Sequence, residues 1–194
     1  MDAEARGVHD FWFGAPGSPE AGQRRREWFV KSAAFDADIA SRFGTLIECA
    51  LRGEFAAWPA DGAAAALAQI VVLDQFTRNV FRNRSRAFEG DARALTAAQA
   101  MVGCDQDLAL PPLQRAFAYL PYEHAEDLAL QDESVRLFSA LAQQAPELAD
   151  MLDYAHRHRV VIARFGRFPH RNAVLGRKST AEEEAYLKEP GSGF

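Results

Sequence analysis

SAAFDADIASRFGTLIECA, residues 32–50, decides the fold class. Phe35, Ile39, Phe43, Leu46, Ile47 and Ala50 recur at steps of three and four, the period of one helix face. Ser32 stands just before the run, where a hydroxyl can accept from the N–H groups of a first turn. The same pattern continues along the chain. Asp61 is placed to cap a helix over residues 63–81, and Asp91 opens one over 92–102. Pro111 and Pro112 suit the first turn of 113–120. Amphipathic segments follow over 126–144 and, after Pro146, over 147–168, where Pro169 is expected to stop the helix. Upstream, Ser18-Pro19-Glu20 reads as a further helix start. Near the end, Ser179 and Thr180 before Glu182 and Glu183 form a capping-box pattern.

No segment alternates apolar and polar residues over a strand length, and no repeat period or linker is visible. These signals predict a single all-α domain over residues 1–194, with about eight helices in antiparallel pairs joined by short connections. Residues 1–18 form an N-terminal segment and 190–194 an irregular tail.

Composition excludes several classes. The chain has 194 residues, 48% hydrophobic and 25% charged, which is ordinary for a globular domain. Its net charge of -5 argues against a general nucleic-acid binder. Cys49 and Cys104 are too few for a disulfide framework. The longest apolar stretch, 63–73, is too short to span a bilayer, which takes about 20 residues. Residues 1–6 are polar, without the apolar core of a signal peptide behind them. A cytoplasmic protein without nucleic-acid or membrane partners is expected.

Three segments interrupt this apolar grammar with polar residues. In Leu73-Asp74-Gln75-Phe76-Thr77-Arg78-Asn79-Val80-Phe81-Arg82, Asp74, Arg78 and Arg82 lie at successive four-residue steps, with Gln75 and Asn79 alongside. The strip is either a set of surface ion pairs or the wall of a polar pocket. In Tyr119-Leu120-Pro121-Tyr122-Glu123-His124, the proline is expected to break the helix and leave Glu123 and His124 near a helix start. There a carboxylate and an imidazole suit general acid–base work. In Arg164-Phe165-Gly166-Arg167-Phe168-Pro169-His170-Arg171-Asn172, Arg164 and Arg167 share a helix face. His170, Arg171 and Asn172 follow the expected helix end. Basic residues there can simply oppose the helix dipole, but guanidinium groups also suit carboxylate or phosphate. Asp10-Phe11-Trp12-Phe13 and Trp28-Phe29 read as core or a packing lid. No phosphate loop, nucleophile elbow or zinc motif is present. Glu123, His124, His170 and Asp74 could hold a metal only by chance proximity, so no metal or cofactor is called for.

The same segments, with Leu175-Gly176-Arg177 and Ser179-Thr180, resemble the family called domain of unknown function 924, from about Val8 to the C-terminus. The resemblance implies a tetratricopeptide-like all-α fold and no established activity, so it assigns no catalytic residue. The family usually has proline where Thr77 stands. Thr77 restores a backbone donor, and a straighter helix around Asp74 is expected. The family favours Phe at Tyr122 and Ser at Ala125, so no serine nucleophile is proposed there.

Together these readings point to a small enzyme or binder acting on a small anionic molecule. Arg78, Arg164 and Arg167 would clamp the anion, Glu123 or His124 would move a proton, and Asp74, Gln75, Asn79, His170, Arg171 and Asn172 would orient the substrate. Hydrolysis or elimination can run on such groups. The alternatives are a tetratricopeptide-like adaptor gripping a peptide carboxylate, and a polar network that only fixes the fold.

Overall fold

A computed structural model describes residues 1–193, and the fold is all-α. The helices are α1 (Ala3–Phe13), α2 (Ala33–Arg52), α3 (Ala63–Val71), α4 (Thr77–Val80), α5 (Asp91–Gly103), α6 (Pro112–Glu123), α7 (Leu128–Gln144), α8 (Ala149–Phe165) and α9 (Ala181–Tyr186). A π turn, Val72–Phe76, joins α3 to α4 without a break. Residues 190–193 lie beyond the last helix, and Phe194 lies outside the described residues. Among the described residues no helix is long and apolar enough to cross a membrane.

Internal contacts divide the chain into two compact units. The first holds Met1–Arg82 and Arg86–Pro121; the second holds Asn83–Ser85 and the residues from Tyr122 on. The division falls at Pro121, inside α6.

In the first unit, α3 lies against α1, α5 and the short turn Trp58–Asp61. That central position accounts for its alanines. Ala65, Ala66 and Ala68 are buried and let several neighbours approach one helix closely. The apolar face read from residues 32–50 is buried in full on α2, and Ser32 Oγ accepts from the Phe35 N–H. Trp12, Phe13, Phe76 and Phe117 form the aromatic centre, with Trp12 and Phe117 edge-to-face at 5.8 Å. Trp28 packs on Phe117 at 4.7 Å, whereas Phe29 points outward.

In the second unit, α7 and α8 form a helical hairpin through the turn Pro146–Leu148. Asp127 caps α7. Val161, Ile162 and Phe168 make a small core, closed by Phe165 and Tyr186. The capping box on α9 is formed by Thr180 and Glu183.

Several local expectations are corrected. Ser18-Pro19-Glu20 is a turn, because Gly17 and Gly22 on either side adopt positive φ, which no helix tolerates. Asp61 caps nothing; its carboxylate accepts from the Asp2 N–H, and Gly62 precedes α3 instead. The N-terminal segment contains a true helix, α1, capped by Asp2. α8 stops at Gly166, which takes a left-handed conformation and bonds back to Ile162, so Pro169 is not the terminator. Pro121 does not break α6. Its missing N–H forfeits one helical bond, to the Phe117 carbonyl, two residues before the helix ends, and Glu123 ends the helix instead of following a new start. Thr77 does not straighten its helix. Its hydroxyl donates to the carbonyls of Leu73 at 2.8 Å and Asp74 at 3.3 Å, next to a π turn.

Candidate functional site

The first polar cluster belongs to the first unit. The π turn carries Asp74, only 1% exposed, and Gln75 donates to its carboxylate. Arg78 answers from the next turn: Nη1 lies 3.0 Å from Asp74 Oδ1 and 2.8 Å from the Asp74 carbonyl. The same guanidinium forms a two-point pair with Asp91, at 2.8 and 3.1 Å. Burial works against its charge, but Asp74 and Asp91 outweigh burial and hold the group protonated. Asn79 and Arg82 turn away to Asp36 in the first turn of α2, with Arg82 bonding both carboxylate oxygens. Gly90 makes this arrangement possible. A Cβ there would lie 2.1 Å from the Leu73 carbonyl oxygen, so only glycine lets the start of α5 meet the π turn.

The second cluster belongs to the second unit and surrounds Phe168. His158, on the buried face of α8, places Nδ1 2.9 Å from the Tyr154 carbonyl and 3.1 Å from Glu123 Oε1. Both neighbours are acceptors, so Nδ1 carries the ring proton and Nε2 keeps its lone pair. The His124 ring centroid lies 6.3 Å from that of His158. His158 and His170 flank Phe168 at 5.5 and 5.6 Å, and Arg171 stacks over the Phe168 ring at 4.4 Å. Burial, reinforced by His124, Arg171 and His170, lowers the His158 pKa to about 3. Burial and Arg171 lower that of His170 to about 4. Both imidazoles are therefore neutral at neutral pH. Gln131, fully buried on α7, ties down the end of α6 by donating to the carbonyls of Glu123 at 2.6 Å and Ala125 at 2.8 Å.

The loop that bears His170 and Arg171 is held by ion pairs. Glu126 accepts from the Phe168 N–H at 2.7 Å and from both Arg177 Nη groups. Burial opposes the Glu126 charge, but Arg177 and that N–H keep its carboxyl below the usual range. Glu183 pairs with Arg167 at 2.6 and 2.8 Å and accepts from Asn172 and the Thr180 N–H. Arg167 above all holds the Glu183 carboxyl at about 2.

Of the residues singled out from sequence, Asp74, Gln75 and Arg78 thus meet in one unit, while Asn79 turns to Asp36. Glu123, His124, His170 and Arg171 gather around His158 and Phe168 in the other. Arg164 and Arg167 do not share a face, because Arg167 lies past the helix end; they reach Glu182 and Glu183, and Asn172 also turns to Glu183. Sequence reading gave no place in a site to Asp36, Glu126, Gln131 or His158, and it read Asp91 only as a helix start and Glu183 only as part of a capping box. His158 was accessible in principle, since it continues the buried period of Met151 and Ala155. Asp36 and Asp91 were not, because only packing brings them to Arg82 and Arg78. Among the described residues no group of three or more His, Cys, Asp or Glu side chains is arranged to hold a metal ion.

Comparison with known proteins gives a family described as of unknown function. No curated protein matches. A solved structure titled as a protein of unknown function, ATU0120 from Agrobacterium tumefaciens, is similar at 37% identity and a TM-score of 0.83, over 96% of this chain and 97% of that one. The family described as bacterial protein of unknown function, domain of unknown function 924, matches residues 8–191. The chain belongs to the domain of unknown function 924 family.

Proposed function

We propose that the second unit carries an acid–base site for a small anionic molecule, with Glu123 orienting His158 and His124, His170 and Arg171 around it. The observation that carries this reading is the His158 geometry: Nδ1 held by Glu123 and Tyr154, in a ring that stays neutral. A neutral imidazole with a fixed tautomer offers an acceptor at Nε2, and an anion bound beside it would raise its low pKa towards the working pH. Burial above all lowers both imidazole pKa values, Arg171 lowers both further, and a guanidinium beside the rings favours an anion. Hydrolysis or elimination on a carboxylate- or phosphate-bearing substrate follows as the reaction class. Arg78, Arg164 and Arg167 drop out of the clamp, since each already bonds a carboxylate of its own unit.

The test is a thermal-shift screen against inorganic phosphate, phosphate esters and small carboxylates, paired with nitrogen NMR of the histidine rings. A ligand at one hundred times its Kd raises Tm by roughly 5–11 °C for a domain of this size. The expected ligand also raises the His170 pKa, and its effect is lost in a folded Arg171→Gln variant. Silence across the panel, with histidine pKa values unmoved by any anion, favours the second reading. In that reading the polar groups only fix the fold, as the closed pairs of Arg82 and Arg177 already do.

A further inference from the structure

We infer that residues 24–31 form a docking surface for an anionic lipid bilayer. The strap reads Arg24-Arg25-Arg26-Glu27-Trp28-Phe29-Val30-Lys31, four cations against one acid in a chain of net charge -5. Trp28 anchors it, packing on Phe117, Phe13 and Trp12. Arg25 is also turned inward, donating to the Phe11 carbonyl at 2.6 Å. With its neighbours fixed, the strap presents Phe29 and Val30 to solvent, 51% and 45% exposed. Other exposed apolar side chains of the protein, such as Leu108 and Val160, stand singly along the chain and need no explanation. Phe29 and Val30 are adjacent, and the remaining cations border them. The Arg24 guanidinium lies over the Phe29 ring at 4.7 Å, and Arg26 and Lys31 share a shallow hollow with Val30.

An apolar pair rimmed by cations suits the headgroup boundary of a bilayer, where rings enter the acyl region and cations meet anionic headgroups. A flat lipid surface asks for no shape match to the strap, whereas a protein partner would have to supply a cleft for Phe29. The net negative charge of the chain repels the bilayer elsewhere, so attachment is oriented and reversible.

The experiment is co-sedimentation of the full chain with vesicles of phosphatidylcholine alone, or with one third phosphatidylserine. Each exposed cation contributes about five-fold to anionic-surface binding, so roughly a 25-fold preference for the anionic vesicles is expected from Arg26 and Lys31. Raising salt weakens it, because the Debye length shrinks to about 3 Å at 1 M. The double variant Phe29→Ser, Val30→Ser is expected to lose ~10-fold or more while keeping its helical circular dichroism, since both side chains are about half exposed and lie outside the helices. Equal binding to both vesicle types overturns the proposal. So does anionic binding unaffected by the double variant, and so does capture by an acidic polypeptide such as polyglutamate with no vesicle binding.

Discussion

The two buried polar clusters differ in how they balance charge. Around the π turn, each charged group faces one of opposite sign: Arg78 lies between Asp74 and Asp91, and Arg82 pairs with Asp36. Around Phe168, Glu123 and Glu126 stand beside imidazoles that burial keeps neutral and a guanidinium stacked over the ring. A closed set of pairs has a structural duty, because breaking it strands a buried ion. A set that includes neutral imidazoles can still take up a proton. The difference lies in partners, since both segments carry comparable residue types.

The comparison breaks most visibly at Arg78. Arg78→Ala leaves the carboxylate of Asp74 buried without its nearest cation, and a loss of about 3–5 kcal/mol in urea unfolding is expected. A loss below about 1 kcal/mol would show that the first cluster is not a closed structural pair. Gly90→Ala tests the same region through the backbone. Its methyl group would meet the Leu73 carbonyl, so ~2–3 kcal/mol is expected, with the π turn displaced.

The second cluster is sharpened by pH. His158 binds a proton near 6.5 in the unfolded chain and near 3 when folded. The unfolded state therefore protonates first, and the stability that His158 contributes is whole above about pH 6.5 and declines as pH falls towards 3. Between pH 6.5 and 5 its share of the loss is about 2 kcal/mol, and His158→Gln removes that share from the slope. Glu123, His124, His170 and Arg171 surround the ring, and His170 adds a loss of the same sign. An unchanged slope in the variant would mean that His158 is charged and that the two clusters are alike. The smallest effect belongs to Thr77→Val. Removing the hydroxyl that bonds the Leu73 carbonyl is expected to change stability by about 1 kcal/mol.

How much could be read in advance follows from range. Ser32 and Thr180 were legible as caps because a cap acts over three residues of chain. Asp74 and Arg78 were legible as a pair because four residues make one helical turn. Asp61, Pro121 and Pro169 misled, since each is a plausible boundary whose use depends on what surrounds it. Gly166 took over from Pro169 because the left-handed turn comes earlier and already closes the helix.

By itself, the sequence determined that this protein is all-α, where most helices begin, and which face of α2 is buried. Those are consequences of periodicity and of local hydrogen bonding, which operate within a turn or two. Tertiary structure alone decided that Arg82 meets Asp36, that Arg167 meets Glu183, and that His158 stands between Glu123 and Phe168. Their partners lie 16 to 46 residues away for the two arginines. An ion pair or a depressed imidazole pKa depends on the distance and burial that packing sets, and no local pattern encodes either.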